Sequence, residues 1–192
     1  MMQTLFNSNL FVRHSVGSEH QRNELIKEIY QYKQSTPNLG YTNPGCWRGE
    51  TNLMHHEWIF NCLDDLLVEA VSYYKKEDVV FGQSATTKSN LRYWINVNDP
   101  QSRNVMHNHA TAHFSAVYYA QAQNTGELRF INPAMTLSNI ISTGPFTRDF
   151  YINPNDGDFI LWPAWVPHEV EPNYSESTRI NIAFDITLEH NV

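Results

Sequence analysis

His107-Asn108-His109 places two imidazoles two positions apart, and a third, His168, follows far downstream inside Trp165-Val166-Pro167-His168-Glu169-Val170. Side chains two apart on a strand share a face, so His107 and His109 can address one ion. His168 closes a triangle if its strand returns beside the first. Imidazole suits iron, zinc, copper and nickel alike, so the trio points to a metal without choosing it. Beyond it, Thr178-Arg179-Ile180-Asn181-Ile182-Ala183-Phe184 alternates as a strand and can aim the Arg179 guanidinium into the same cavity. Arginine grips a carboxylate through two parallel hydrogen bonds. The chemistry in view is a metal with an anion clamp.

Those side chains need elements to hold them. Leu25, Ile26, Ile29 and Tyr30 recur at helical spacing within residues 18–34, with Ser18 as N-cap. Pro37-Asn38-Leu39-Gly40 and Asn43-Pro44-Gly45 then make a loop. A second helix is expected from about His56 to Tyr74, with Ile59, Leu63, Leu66, Leu67 and Ala70 as its apolar stripe. From Leu91 the period becomes two, and the expected strands are Leu91–Val97, Ala112–Gln121, Leu128–Ile131, Phe159–Trp162 and Ile180–Ile186. Asn98-Asp99-Pro100, Asn124-Thr125-Gly126, Asn132-Pro133 and Asn153-Pro154-Asn155-Asp156-Gly157 punctuate them. Two helices followed by many short strands fit a mainly β sandwich or jelly roll with the helices packed on one face.

Length and composition narrow the classes. A chain of 192 residues reads as a single domain, with a helical support region over about 1–90 and a jelly-roll core over about 91–188. Its net charge of −7, with 13 Lys and Arg spread thinly, argues against a nucleic-acid partner. No run is long enough to span a membrane. Met1-Met2-Gln3-Thr4-Leu5-Phe6 lacks the basic start and apolar stretch of a signal peptide, and Cys46 and Cys62 read as free thiols. The expected location is the cytoplasm.

Taken together, four segments resemble the iron(II)/2-oxoglutarate-dependent oxygenases. They are His107-Asn108-His109 leading to Ser115-Ala116-Val117-Tyr118-Tyr119; Gly126-Glu127-Leu128-Arg129-Phe130; Gly157 through Trp162-Pro163-Ala164-Trp165-Val166-Pro167-His168-Glu169-Val170 to Pro172-Asn173; and Arg179-Ile180-Asn181-Ile182-Ala183-Phe184. The pattern is most similar to a small H-x-H group from marine bacteria and phages, and it also resembles prolyl hydroxylases. The likeness covers roughly residues 91–186. It implies a double-stranded β-helix (a cupin-like jelly roll) that binds Fe(II), 2-oxoglutarate and O2 and hydroxylates a substrate with release of succinate and CO2.

Carried over residue by residue, the resemblance makes His107 and His168 the two usual imidazole ligands and puts His109 where the carboxylate of a two-His, one-acid set stands. Arg179 would grip the distal carboxylate of 2-oxoglutarate, and Tyr119 would donate its hydroxyl to it. Asn181 would assist, and Asn96 would face the same pocket. A third imidazole leaves the metal site one positive charge higher than a carboxylate would. Two other readings stay open: a cupin-like three-histidine metalloenzyme that does not use 2-oxoglutarate, and a noncatalytic jelly-roll binding module. The expected partner is a small-molecule or peptide substrate.

Other residues read more plainly. Tyr118 and Tyr119 alternate, so only one of them faces the site. Trp162 and Trp165 read as packing, and Arg48 and Trp47 as entrance or loop residues. His55-His56 reads as a solvated or capping pair at a helix start.

Overall fold

Helix α1 (Glu19–Ser35) starts where the N-cap reading puts it. The backbone N–H of Gln21 donates to the Ser18 hydroxyl at 3.2 Å, and the Ser18 N–H donates back to Gln21 Oε1 at 2.8 Å. This reciprocal pair satisfies donors that the first turn otherwise leaves open. Helix α2 (Glu57–Lys76) opens on an acid, ends on Lys75 and Lys76, and buries the expected stripe, extended by Phe60, Val71 and Tyr74. The computed structural model describes residues 8–39, 43–76, 85–132 and 149–190. The readings of Met1–Phe6 and of the turn residues Gly40 and Pro133 lie outside them.

The strands are β1 (Phe11–Arg13), β2 (Cys46–Gly49), β3 (Ala85–Asn98), β4 (Asn104–His107), β5 (Phe114–Gln121), β6 (Leu128–Phe130), β7 (Phe150–Ile152), β8 (Phe159–Pro163), β9 (His168–Val170) and β10 (Arg179–His190). They form a six-stranded sheet, β1-β8-β5-β10-β3-β2, and a four-stranded sheet, β4-β9-β6-β7, with every pairing antiparallel. The fold is mainly β, a jelly roll with two helices laid on the large sheet. Strands β1, β2, β4, β7 and β9, each of three or four residues, lie outside the expected set; of the strands this short only β6 was expected, from the turn signals on either side of it.

Alternation divides the long strands between two environments. Ile95 and Val97 on β3, Phe114, Ala116 and Tyr118 on β5, and Ile180, Ile182, Phe184 and Ile186 on β10 pack against the helices in one core. The intervening residues turn the other way: Trp94 and Asn96, Ser115, Val117 and Tyr119, Asn181, Ala183 and Asp185 line a cavity between the sheets. A strand of period two thus serves the core with one face and the site with the other.

Candidate metal centre and anion pocket

The two short strands of the small sheet set the first two ligands. β4 and β9 pair antiparallel with His107 directly opposite His168, bringing their ring centroids to 4.4 Å. His109 arrives differently from the sequence expectation. β4 ends at His107, so His109 sits in the turn beyond it and not on the same strand face. Its N–H donates to Ala164 O at 2.9 Å and its carbonyl accepts from Ala112 N at 3.0 Å, which ties that turn to the end of β8. Its ring stacks between Trp94, at 5.7 Å, and His168, at 5.2 Å. One potential ligand atom from each of the three histidines lies within 4.8 Å of the others.

The tautomers follow from their partners. His107 Nδ1 lies 2.7 Å from Val105 O, and His168 Nδ1 lies 3.0 Å from Val166 O. A carbonyl only accepts, so each Nδ1 carries the proton and each Nε2 keeps its lone pair. His109 Nδ1 lies 2.5 Å from Asp185 Oδ1, an ion-pair contact without the alignment of a hydrogen bond. Metal-binding histidines are held in this way, with the remote nitrogen engaged by a carbonyl or carboxylate. Burial, reinforced by neighbouring His107, pushes His168 down to about 3, and burial also lowers His107. Both are therefore neutral near pH 7, the form that can coordinate a cation.

Asp185 is the residue the sequence reading missed. It stands on the inward face of β10, in phase with Arg179 and Asn181, so the same alternation that singled out Arg179 could have found it. Its carboxylate sits behind His109, so the negative charge that the third imidazole displaces from the ligand set remains next to it.

Further along β10, Arg179 is fully buried. Its Nη1 donates to Thr125 O at 2.5 Å, while Nε and Nη2 have no hydrogen-bond partner among the described residues. No described carboxylate forms an ion pair with it; Tyr119 is its main electrostatic neighbour, and burial lowers its pKa. The turn that supplies Thr125 O depends on Gly126. At φ +100°, a Cβ there would sit 2.6 Å from Glu171 O and 3.2 Å from Arg179 Nη1.

The cavity holds about 200 Å³. Tyr119, Asn96 and Asn181 line it, with Asn96 Nδ2 donating to Asn181 Oδ1 at 2.9 Å; Arg179 lies one inward position further along β10 and is not itself part of the lining. Tyr118 points the opposite way, its hydroxyl donating to Val16 O at 3.2 Å. Ser115 Oγ, Trp162 Nε1 and Asn96 Oδ1 are buried in the lining without protein partners among the described residues. Trp162, read from sequence as packing, does pack in the core between the sheets and also lines the cavity. Buried polar groups left unpaired are costly, so this lining suits a polar ligand. Arg48 and Arg92 also line the cavity; both reach Glu50 at 3.3 Å, and Arg48 lies over the Trp94 ring at 4.3 Å. Trp47 instead joins the helix-side core. His113 Nδ1 accepts from Leu188 N at 2.9 Å, a structural role.

A jelly roll with three histidines converging on its cavity, and a buried arginine further along β10, defines the class: a double-stranded β-helix protein with a candidate metal centre. Residues 92–185 match the model of the family described as "Putative 2OG-Fe(II) oxygenase". The family's cofactors are Fe(II) and 2-oxoglutarate, and His107, His109 and His168 are placed to hold a metal.

Solved structures share the fold. A Pseudomonas putida prolyl-4-hydroxylase superposes with TM-score 0.64 at 12% identity, covering 93% of this chain and 91% of that one. A Trichoplax adhaerens prolyl hydroxylase in complex with a hypoxia inducible factor peptide gives 0.63 at 13%, covering 93% and 83%. HygX from Streptomyces hygroscopicus, with nickel and 2-oxoglutarate bound, gives 0.59 at 14%, covering 93% and 82%. No curated protein matches the sequence. Among the described residues, no helix is long and apolar enough to cross a membrane.

Proposed function

We propose that this chain is an Fe(II)- and 2-oxoglutarate-dependent hydroxylase with a three-histidine metal site formed by His107, His109 and His168. The observation that carries the reading is the pairing of two features, one in the cavity and one just beyond its lining on β10. One is a trio of imidazoles, two with Nδ1 hydrogen-bonded to a backbone carbonyl and the third with Nδ1 against the Asp185 carboxylate. The other is a fully buried arginine with two donor nitrogens unmatched and no carboxylate beside it. A dicarboxylate with one end at the histidines would send the other towards Tyr119 and the guanidinium next to it. Bound there, Fe(II) and 2-oxoglutarate would supply oxidative decarboxylation to succinate and CO2, coupled to oxidation of a substrate C–H bond.

The protein's own residues orient and insulate. Val105 O, Val166 O and Asp185 fix the three rings so that their Nε2 lone pairs face inward. Asp185 also offsets the charge that a third neutral ligand leaves on the centre. Arg179, held by Thr125 O, and Tyr119 select a ligand with a remote carboxylate, while Asn96 and Asn181 brace each other beside it. Burial strengthens that charge recognition. Trp94, Val117 and Leu128 supply the apolar part of the lining. The substrate would be a small molecule or a peptide group presented beside Arg48, Arg92 and Asn108, which also line the cavity. A three-histidine metalloenzyme that does not use 2-oxoglutarate has no general need for a buried Arg179 without a carboxylate partner.

Anaerobic addition of Fe(II) and then 2-oxoglutarate tests this. The expected result is a weak visible charge-transfer band that His168→Ala and Arg179→Ala abolish. Fe(II) binding without a band would overturn the 2-oxoglutarate assignment, and no metal binding would leave a noncatalytic jelly roll.

A further inference from the structure

A second convergence of ligand atoms lies in the helical layer, away from the cavity. Glu28 on α1 meets His55 and His56, from the turn ahead of α2. Nε2 of each histidine lies 2.9 Å from the same carboxylate oxygen, Oε2, with the two rings 4.3 Å apart. One ligand atom from each residue falls within 4.8 Å of the other two.

The backbone under this cluster is firm. Ile29, next to Glu28, is fully buried, as is Leu53 at the start of the turn. His56 N–H donates to Leu53 O, and Ile59 N–H donates to His56 O, each at 2.9 Å. The side chains are graded in exposure, from 12% for His56 through 35% for Glu28 to 58% for His55, so solvent ions can reach a site whose base is fixed.

Geometry and proton placement both suit a metal. Zinc bonds of about 2.0–2.1 Å in a tetrahedron put ligand atoms roughly 3.4 Å apart. The 2.9 Å contacts need open by only a few tenths of an ångström to admit the ion. Neither His55 nor His56 has a hydrogen bond at Nδ1 among the described residues, so each ring can move its proton there and turn the Nε2 lone pair to the metal. For Glu28, burial raises the pKa, but the hydrogen bonds and charge interactions with His55 and His56 together outweigh it, and the net shift is downward. A charged carboxylate with two imidazoles is a borderline donor set that favours a transition ion over magnesium or calcium.

We propose that Glu28, His55 and His56 form a surface Zn2+ site, completed by water, that clips α1 to the turn entering α2. It goes beyond the oxygenase reading and does not depend on it. The test uses the full-length His107→Ala/His168→Ala double variant, in which the cavity trio is disabled. Titrating the metal-free protein with Zn2+ by calorimetry should show one equivalent bound and a rise in melting temperature. Adding Glu28→Gln or His55→Ala should abolish both. If the double variant takes up no zinc, or still binds it after those changes, the site does not exist. Should the double variant fail to fold, wild type is expected to bind one more zinc than Glu28→Gln, and equal stoichiometry would sink the proposal. None of these outcomes bears on whether the cavity uses 2-oxoglutarate.

Discussion

In the cavity, two imidazoles have Nδ1 hydrogen-bonded to a backbone carbonyl and the third has Nδ1 against a carboxylate; on the helical face, two imidazoles point Nε2 at a shared carboxylate and leave Nδ1 open. The donor types are nearly the same, but the preparation differs. Folding orients the cavity rings before any ion arrives, so that trio needs only desolvation of the metal. The surface trio is closed by its own hydrogen bonds, which an ion must first displace. Preorganisation by second-layer contacts is what distinguishes a centre built for chemistry from one built for attachment. Environment reinforces it: burial pushes the His168 pKa down to about 3, so that ring is neutral near pH 7, whereas half-exposed His55 stands in solvent.

The largest test of this contrast is His168→Ala, which removes an oriented ligand from the cavity. Iron binding and 2-oxoglutarate turnover should fall to background, read by iron content and succinate release. Arg179→Ala comes next and should leave iron bound. It breaks a buried charge contact, worth about 2–5 kcal/mol, so 2-oxoglutarate affinity should fall roughly 30- to 4,000-fold while metal stoichiometry holds. Loss of both together would mean that the arginine serves the fold instead.

Asp185→Asn probes the second layer alone. Replacing such a partner typically costs about 10–100-fold in metal affinity or activity, and iron titration should show a weakening of that size. An unchanged iron affinity would erase the distinction between the two clusters. At the small end, Glu28→Gln in zinc-free protein should shift unfolding free energy by no more than about 1 kcal/mol in denaturant melts, because partly exposed ion pairs contribute little.

Much of this arrangement was legible beforehand where the period was long. Leu25 and Ile29, and Leu63 through Tyr74, mark the helices, and the alternation of β10 puts Arg179 and Asn181 on one face. The same count would have reached Asp185, but a carboxylate in a long strand carries no mark of its own until His109 is seen beside it. His109 itself was expected on a strand face, whereas β4 stops at His107 and the turn to Ala164 delivers the third ring. That turn is a tertiary contact between β8 and the loop, invisible to local pattern. The short strands β1, β7 and β9 acquire their form from the partners they pair with. His55-His56 looked like a solvated pair because Glu28, its third member, lies on another helix.

The alternation along β10 also shapes how such a protein can vary. Inward positions such as Ala183 touch the cavity, and outward ones such as Ile182 and Phe184 touch the helices. Substrate preference can therefore drift at one parity while the other keeps the molecule folded. A single-residue insertion or deletion within the strand would exchange the two sets at a stroke. This makes β10 tolerant of substitution and intolerant of slippage, so divergence among proteins built this way should accumulate as point changes within it and as length changes only beyond its ends.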